Sequence, residues 1–565
     1  MDSRLSNKST KVLMPKSSKY NLLLQLLLLP FLATPLAAQI WSRSLAEANR
    51  QKILLICNGT EPQSLDPSLA NGIPEKELLE ALFEGLVLDD PHNNGSYLPG
   101  VAESWEHNAD YSSWTFHLRK NARWSNGEPV TARDFVFAGQ RVLTASLGAT
   151  HSDRYINVKG AMEYVEGKLT DFDQVGIHAV DDYTLRYDLT GPTPYFLIRV
   201  TDQAFFPENA ASILKFGTMG QRNTPWTKPG NLVGNGPFML TEWRENDVVV
   251  VRKNPNYWDA ATVKLNEIRF FSIEDYSTMD RAFWAGQLHV TLTVPLDKVP
   301  RYRREHPDTF QIAPYLGVYS YMLNVKQKPL DDVRVRQALS LAIDRDAIVK
   351  NILRGKQQPA TGYVPPGIPG YTPTNMVSYQ PDKARQLLAE AGYPHGAGFP
   401  KINIFINTSE AHRTIAEAIQ QMWKSELGIQ VGITNQEWKV YLDTITKHNF
   451  DIARLGWIGD LDPIGFLDTF RTGSPDNISN WSNPQFDGLM HQSDQTGDPI
   501  ARDKILAQAE QVLLGDACAI PIYWYTSTHL VHPTVIGWEP NLLDTHPWKF
   551  IDLAPVPPSG LAQSR

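Results

Sequence analysis

The seven residues Arg454 to Asp460, within FDIARLGWIGDLDP, carry a guanidinium, an indole and a carboxylate. Phe450, Ile452 and Leu455 alternate as in a strand that ends at Gly456, which leaves Trp457 and Asp460 just beyond it. Loops at strand ends are where open α/β sheets place ligands. A carboxylate there takes a ligand ammonium through a charge-assisted hydrogen bond, and a guanidinium offers the planar fork that carboxylates accept. This is recognition chemistry and needs no reacting bond. Each group also has a plainer use: Asp460 as a loop or helix cap, Arg454 in a structural salt bridge, Trp457 as core filling.

These groups need a scaffold, and the chain reads as alternating strands and helices. WTFHL (114–118) alternates as a half-buried strand, NARWSNG is a turn with Asn126-Gly127 suited to positive φ, and Thr131 can cap a helix over DFVFAGQRVL. PEKELLEALFEG places Leu78, Leu79, Leu82, Phe83 and Leu86 at helical spacing. IHAVDDYTLRYDL reads as a hairpin turning at Asp181-Asp182, and GPFMLTEWRENDVVVVRKNPNYW as another. DDVRVRQALSLAIDRDAIV reads as one capped helix with Ala338, Leu339, Ala342 and Ile343 on its apolar face. PDKARQLLAEAG closes at Gly392. KINIFINTS and GIQVGITNQEW flank the helix HRTIAEAIQQMWKSEL as a βαβ-like unit.

Arg4, Lys8, Lys11, Lys16 and Lys19 precede an apolar run from Leu22 to Leu32, and TPLAAQ follows: the three regions of a cleavable signal peptide over residues 1–38. The run is shorter than the roughly 20 residues that span a bilayer. No cysteine follows it, so a lipid anchor is not expected. Setting aside residues 1–38, which hold five basic side chains and one acidic, leaves 48 Lys and Arg against 60 Asp and Glu. An acidic chain of this kind is not built to neutralise phosphates, which argues against a nucleic-acid partner. The remaining length implies two or three domains. Cys57 and Cys518 can pair in an oxidising compartment or stay as two buried thiols. CxxC, HExxH, G-x-S-x-G and P-loop patterns are missing, as is any closely spaced Cys/His set; no metal, cofactor or catalytic residue is expected.

WTFHLRKNARWSNGEPVTARDF resembles the signature of extracytoplasmic solute-binding receptors of the oligopeptide/dipeptide/nickel family, which serve ABC importers. NGTEPQSLDP, GNGPFML…NPNYW, DDVRVRQALSLAIDRD and KARQLLAEAGY resemble it independently, and NTSEAH, NQEWK, ARLGW and PIYWY point to the oligopeptide receptors within it. The resemblance runs from about Asn58 to Tyr525. It implies an α/β, two-lobed periplasmic-binding-protein fold of the class II type with an additional domain on lobe I. Lobe I then comprises 39–83, 207–316 and 527–565, the additional domain 84–206, and lobe II 317–526. It also implies a monomeric, periplasmic, non-enzymatic receptor for short peptides that delivers them to an inner-membrane ABC permease. Residue by residue, Asp460 falls on the aspartate that holds the peptide α-amino group, and Arg454 and His412 on groups that serve peptide ends. Asn407, Trp438, Trp457, Gly456, Asn71 and the hinge residue Tyr525 fall on cleft positions.

Departures from the family pattern bear on the ligand. Ile445 and Leu353 (beside Arg354) stand where an arginine and a lysine are expected; Asn71 replaces a glutamate and Gly148 a tyrosine. Ser320 and Met322 alter the hinge strand, and Gly317 and Ile458 replace a cysteine pair of the enteric relatives. A same-fold receptor for a modified or non-peptide solute (a murein peptide, an opine-like compound, a sugar or a metal chelate) is the alternative, and a secreted hydrolase the competing class.

Overall fold

The computed structural model describes residues 45–556 apart from 71, 150 and 355. The expected signal peptide and Asn71 lie outside the described residues. Among the described residues no helix is long and apolar enough to cross a membrane.

Three sheets organise the molecule. The first has the order Ile53–Cys57, Glu267–Phe271, Val248–Lys253, Phe238–Arg244, with its outer pair built from the expected second hairpin. The second joins Ala102–His107, Ser113–Leu118, Thr184–Asp188 and Ile177–Asp181, all antiparallel. One apolar core, containing Leu54, Phe116, Phe135, Leu185, Ile268 and Trp548, runs through both. The third is a six-stranded mixed sheet: Gln358–Pro359, Ala519–Leu530, Phe310–Leu323, Ile452–Ile458, Ile402–Asn407, Val431–Gln436. Alternation along Phe310–Leu323 divides its neighbours: Val318 and Met322 face one core, Tyr319, Tyr321 and Leu323 the other.

Several local expectations need amendment. Asp134 closes the helix Ala132–Val142 by reaching back to accept the Thr131 N–H at 2.7 Å. The helix Ile73–Leu82 stops before Phe83 and Leu86, which are buried in the loop that follows. The single helix expected over 332–349 is two. Val333–Leu341 is opened by Asp332, Ala342 leaves the helical conformation, and Asp344 caps a new turn at Arg345. Two N-capping aspartates twelve residues apart permit that break. The strand Ile452–Ile458 runs two residues past Gly456, because Val318 and Gly317 of Phe310–Leu323 pair with Trp457 and Ile458. The βαβ unit is as expected, with Glu410–Leu427 crossing between parallel strands. Cys57 and Cys518 are free, buried, and belong to different cores.

The helix of the signature stretch has a further task. Arg141, fully buried, donates to both oxygens of Asp66 at 2.7 and 2.6 Å and to Glu208 at 2.9 and 3.0 Å. It thereby ties three distant stretches of chain together. Arg141→Met leaves two buried carboxylates uncompensated, so a loss of about 3–5 kcal/mol is expected in urea unfolding. An unchanged midpoint would mean that the network is neutral.

Candidate ligand-binding site

The strands Ile402–Asn407 and Ile452–Ile458 run parallel, and their carboxyl ends carry Asn407 and the Arg454–Ile458 segment. Arg454, Gly456 and Ile458 share one strand face, with Asp460 continuing the same parity. Arg454 donates from Nη1 to Asn407 Oδ1 at 3.4 Å and from Nη2 to the Tyr525 hydroxyl at 2.6 Å, and lies over the Tyr319 ring at 4.7 Å. Among the described residues no carboxylate forms an ion pair with it, and its Nε is a buried donor without a partner. Gly456 makes this arrangement possible. A Cβ there would stand 2.5 Å from the Tyr525 oxygen and 2.8 Å from Arg454 Nη2. Gly456→Ala is therefore expected to part the two groups and weaken ligand binding roughly tenfold, about 1.4 kcal/mol. Calorimetric titration checks the affinity, and circular dichroism checks that the fold survives.

His412, near the start of Glu410–Leu427, joins through Tyr319, whose hydroxyl lies 3.4 Å from its Nδ1. Burial, and then the charge of Arg454, hold His412 well below its usual range, so it is neutral near pH 7. Trp457 is fixed by its indole N–H, which donates to the Gly465 carbonyl at 2.7 Å. Trp438 stands apart, exposed, and stacks on Tyr441, whose hydroxyl reaches the Arg454 carbonyl. Gly317 and Ile458 are cross-strand partners, and the Ile458 side chain fills the space over Gly317. The substituted positions Ile445 and Leu353 are buried in the apolar cores.

GDLDP offers two aspartates, and the structure separates them. Asp462 caps Ile464 at 2.8 Å and is held by both Nη atoms of Arg502, at 2.7 and 3.0 Å. Asp460 keeps 39% of its side-chain surface accessible, and its one ion-pair partner among the described residues is Arg154, at 3.9 Å. Sequence reasoning missed Arg154. It lies some 300 residues away in an unremarkable stretch, and nothing in its neighbourhood marks it. Lys76 and Asp89 were missed for the same reason.

Asp460 acts on both Asp89 and Arg154, and Lys76 on Asp89, so these four groups stand near one another. Lys76 keeps 49% of its side-chain surface accessible. Burial pushes Lys76 down, but Glu80, Asp89 and Tyr315 outweigh it and keep it charged. Burial also carries Asp89 up to about 7, opposed by Lys76 and assisted by Asp460 and Glu80. The strand end thus carries a carboxylate, Asp460, with Arg154 beside it, and a guanidinium, Arg454, that reaches Tyr525. Arg199 to Asp468 at 2.7 Å and Arg502 over the Tyr195 ring at 4.0 Å tie the segment 195–199 to stretches that follow Asp460.

The sequence profile of bacterial extracellular solute-binding proteins, family 5 (middle), matches residues 96–477. The chain is 38% identical over 491 residues to the periplasmic oligopeptide-binding protein OppA of Escherichia coli, covering 85% of this chain and 88% of that one. The structure of Haemophilus influenzae OppA in complex with RPPGFSPFR superposes with a TM-score of 0.81 at 34% identity, over 89% of this chain and 99% of that one. The Escherichia coli murein tripeptide binding protein MppA superposes at 0.82 with 35% identity, over 89% and 98% of the two chains. Its unliganded open form reaches only 0.68 over 89% and 97% at the same identity. With sequence held constant the difference is one of lobe arrangement, and this chain stands nearer the first arrangement than the open one. Profile, relatives and fold agree: the chain is a two-lobed member of the bacterial extracellular solute-binding proteins of family 5.

Proposed function

We propose that the chain captures short peptides between its lobes and presents them to an inner-membrane ABC permease, with no chemical step. The observation that carries this reading is the pair of opposite charges near one strand end, neither of them consumed by a strong ion pair among the described residues. Asp460 offers an accessible carboxylate at one end, and Arg454 lacks a carboxylate partner among the described residues at the other. Six residues of extended chain separate them, a ceiling of roughly 20 Å, which suits a ligand of a few residues. Asn407, Gly456, His412 and Tyr525 surround the Arg454 end; Trp457 borders Asp460, and Trp438 belongs to the rim. The proposed hinge crossings near 316 and 526 are supported by the bulge between Pro314 and Val318, opposite Tyr525. On this reading lobe I is 39–83, 207–316 and 527–565, the additional domain 84–206 and lobe II 317–526. Cleavage after residue 38 releases the receptor, as a monomer, into the periplasm.

A second reading, a modified peptide, is favoured by Arg154. A ligand with a carboxylate close to its ammonium pairs with Asp460 and Arg154 together. Native mass spectrometry of purified protein, with the released ligand fragmented, separates the two. A ladder of peptides of two to five residues supports a broad receptor, whereas one discrete modified mass supports the second reading. Turnover of a bound peptide would overturn both.

A further inference from the structure

Three side chains from the carboxyl-terminal part of the chain converge. His529 stands in the strand Ala519–Leu530, and Asp544 and His546 belong to the loop that follows Trp538. His529 Nε2 lies 3.1 and 3.0 Å from the two Asp544 oxygens, and His546 Nε2 lies 3.3 Å from Oδ1. Among the described residues this is the one place where three potential metal ligands meet, their ligand atoms all within 4.8 Å of one another.

The surroundings are built. His529 Nδ1 faces the Thr291 carbonyl at 2.8 Å. A carbonyl can only accept, so Nδ1 carries the hydrogen, and the Nε2 of a neutral ring turns its lone pair toward Asp544. This is the outer hydrogen bond that orients metal-bound histidines. Asp544 adopts a left-handed φ of 52°. Asn541 holds the loop by accepting the Thr545 N–H at 3.1 Å and donating to the Thr545 carbonyl at 2.8 Å. His546 is fixed by stacking on Trp538, with 3.9 Å between ring centroids. Both histidines are buried, while Asp544 keeps 18% of its side-chain surface accessible and leaves a way in.

A carboxylate 3.0 Å from Nε2 calls for a positive charge between them, and either a proton on Nε2 or a bound cation supplies it. Ligand atoms around a tetrahedral ion with bonds of about 2.0 Å stand roughly 3.3 Å apart, close to the separation of each histidine from Asp544. The mixed nitrogen and oxygen set suits zinc or a similar divalent ion, with a fourth position left for water. We propose that His529, Asp544 and His546 bind one divalent transition-metal ion, which clasps the carboxyl-terminal loop to the strand leaving the hinge. Sequence inspection missed the set because fourteen residues separate His529 from Asp544, unlike any short metal motif.

The test uses the whole secreted chain, stripped of metal with a chelator, dialysed and titrated with Zn²⁺ alone by calorimetry. Co²⁺ serves in parallel as a spectroscopic probe. One equivalent of zinc, a tetrahedral cobalt absorption band and a zinc-dependent rise in unfolding temperature are expected. His546→Phe, which preserves the stack on Trp538, and the isosteric Asp544→Asn should each weaken binding by at least roughly a hundredfold. Less than one equivalent bound by the wild type, or equal binding by folded His546→Phe, would overturn the proposal. A proton on His529 would then supply the missing charge.

Discussion

Asp460→Ala is expected to weaken binding of a short peptide with a free α-ammonium by hundreds- to thousands-fold. In the closed cleft the ammonium and Asp460 form a charge pair removed from bulk water, and deleting one member of such a pair costs roughly 3–5 kcal/mol. Two features of the site shape the size of the effect. Asp460 retains accessible surface and is not consumed by a cap, unlike Asp462. Its contact with Arg154, at 3.9 Å, is too long for a strong hydrogen bond and leaves its oxygens open to a better donor. Titration calorimetry with one defined tripeptide and its N-acetylated form measures the loss. The acetylated peptide should bind wild type and variant alike. Affinity of the variant within threefold of wild type for the free tripeptide would remove Asp460 from the ammonium role.

Arg454→Met is expected to weaken binding of a peptide with a free carboxyl end by about 2–5 kcal/mol, some thirty- to several-thousand-fold. A guanidinium always stays charged, and this one sits among Asn407, Tyr525 and the Tyr319 ring with no carboxylate partner among the described residues. A ligand carboxylate supplies what the protein withholds. Comparison with the amidated peptide isolates the effect. If the free and amidated peptides lose equal affinity, the arginine only positions Tyr525 and Asn407.

The signature WTFHLRKNARWSNG was legible because strand, turn and cap signals lie within a few residues of one another, and the strand Ser113–Leu118 and the Thr131–Asp134 cap follow it closely. The helix over 332–349 was misread as continuous because apolar spacing persists across the break, while the Asp344 cap that enforces it is a single residue. The length of the strand bearing Trp457 was misjudged because it is set by pairing with a segment more than 130 residues away.

The same division runs through the site. Sequence alone determined the family, the presence of Asp460 and Arg454 at one strand end, and the acidic balance that sets nucleic acid aside. All of these are properties of residue type and short spacing. Tertiary structure decided which aspartate of GDLDP is free, that Arg454 has no acidic partner among the described residues, and that Gly456 makes room for Tyr525. It also decided that Arg154 approaches Asp460, that Lys76 and Asp89 stand near them, and that His529 meets Asp544 and His546. Each of these depends on distances and burial between segments remote in the chain. Charge compensation and desolvation act through space over a few ångströms, and order along the chain does not encode those separations.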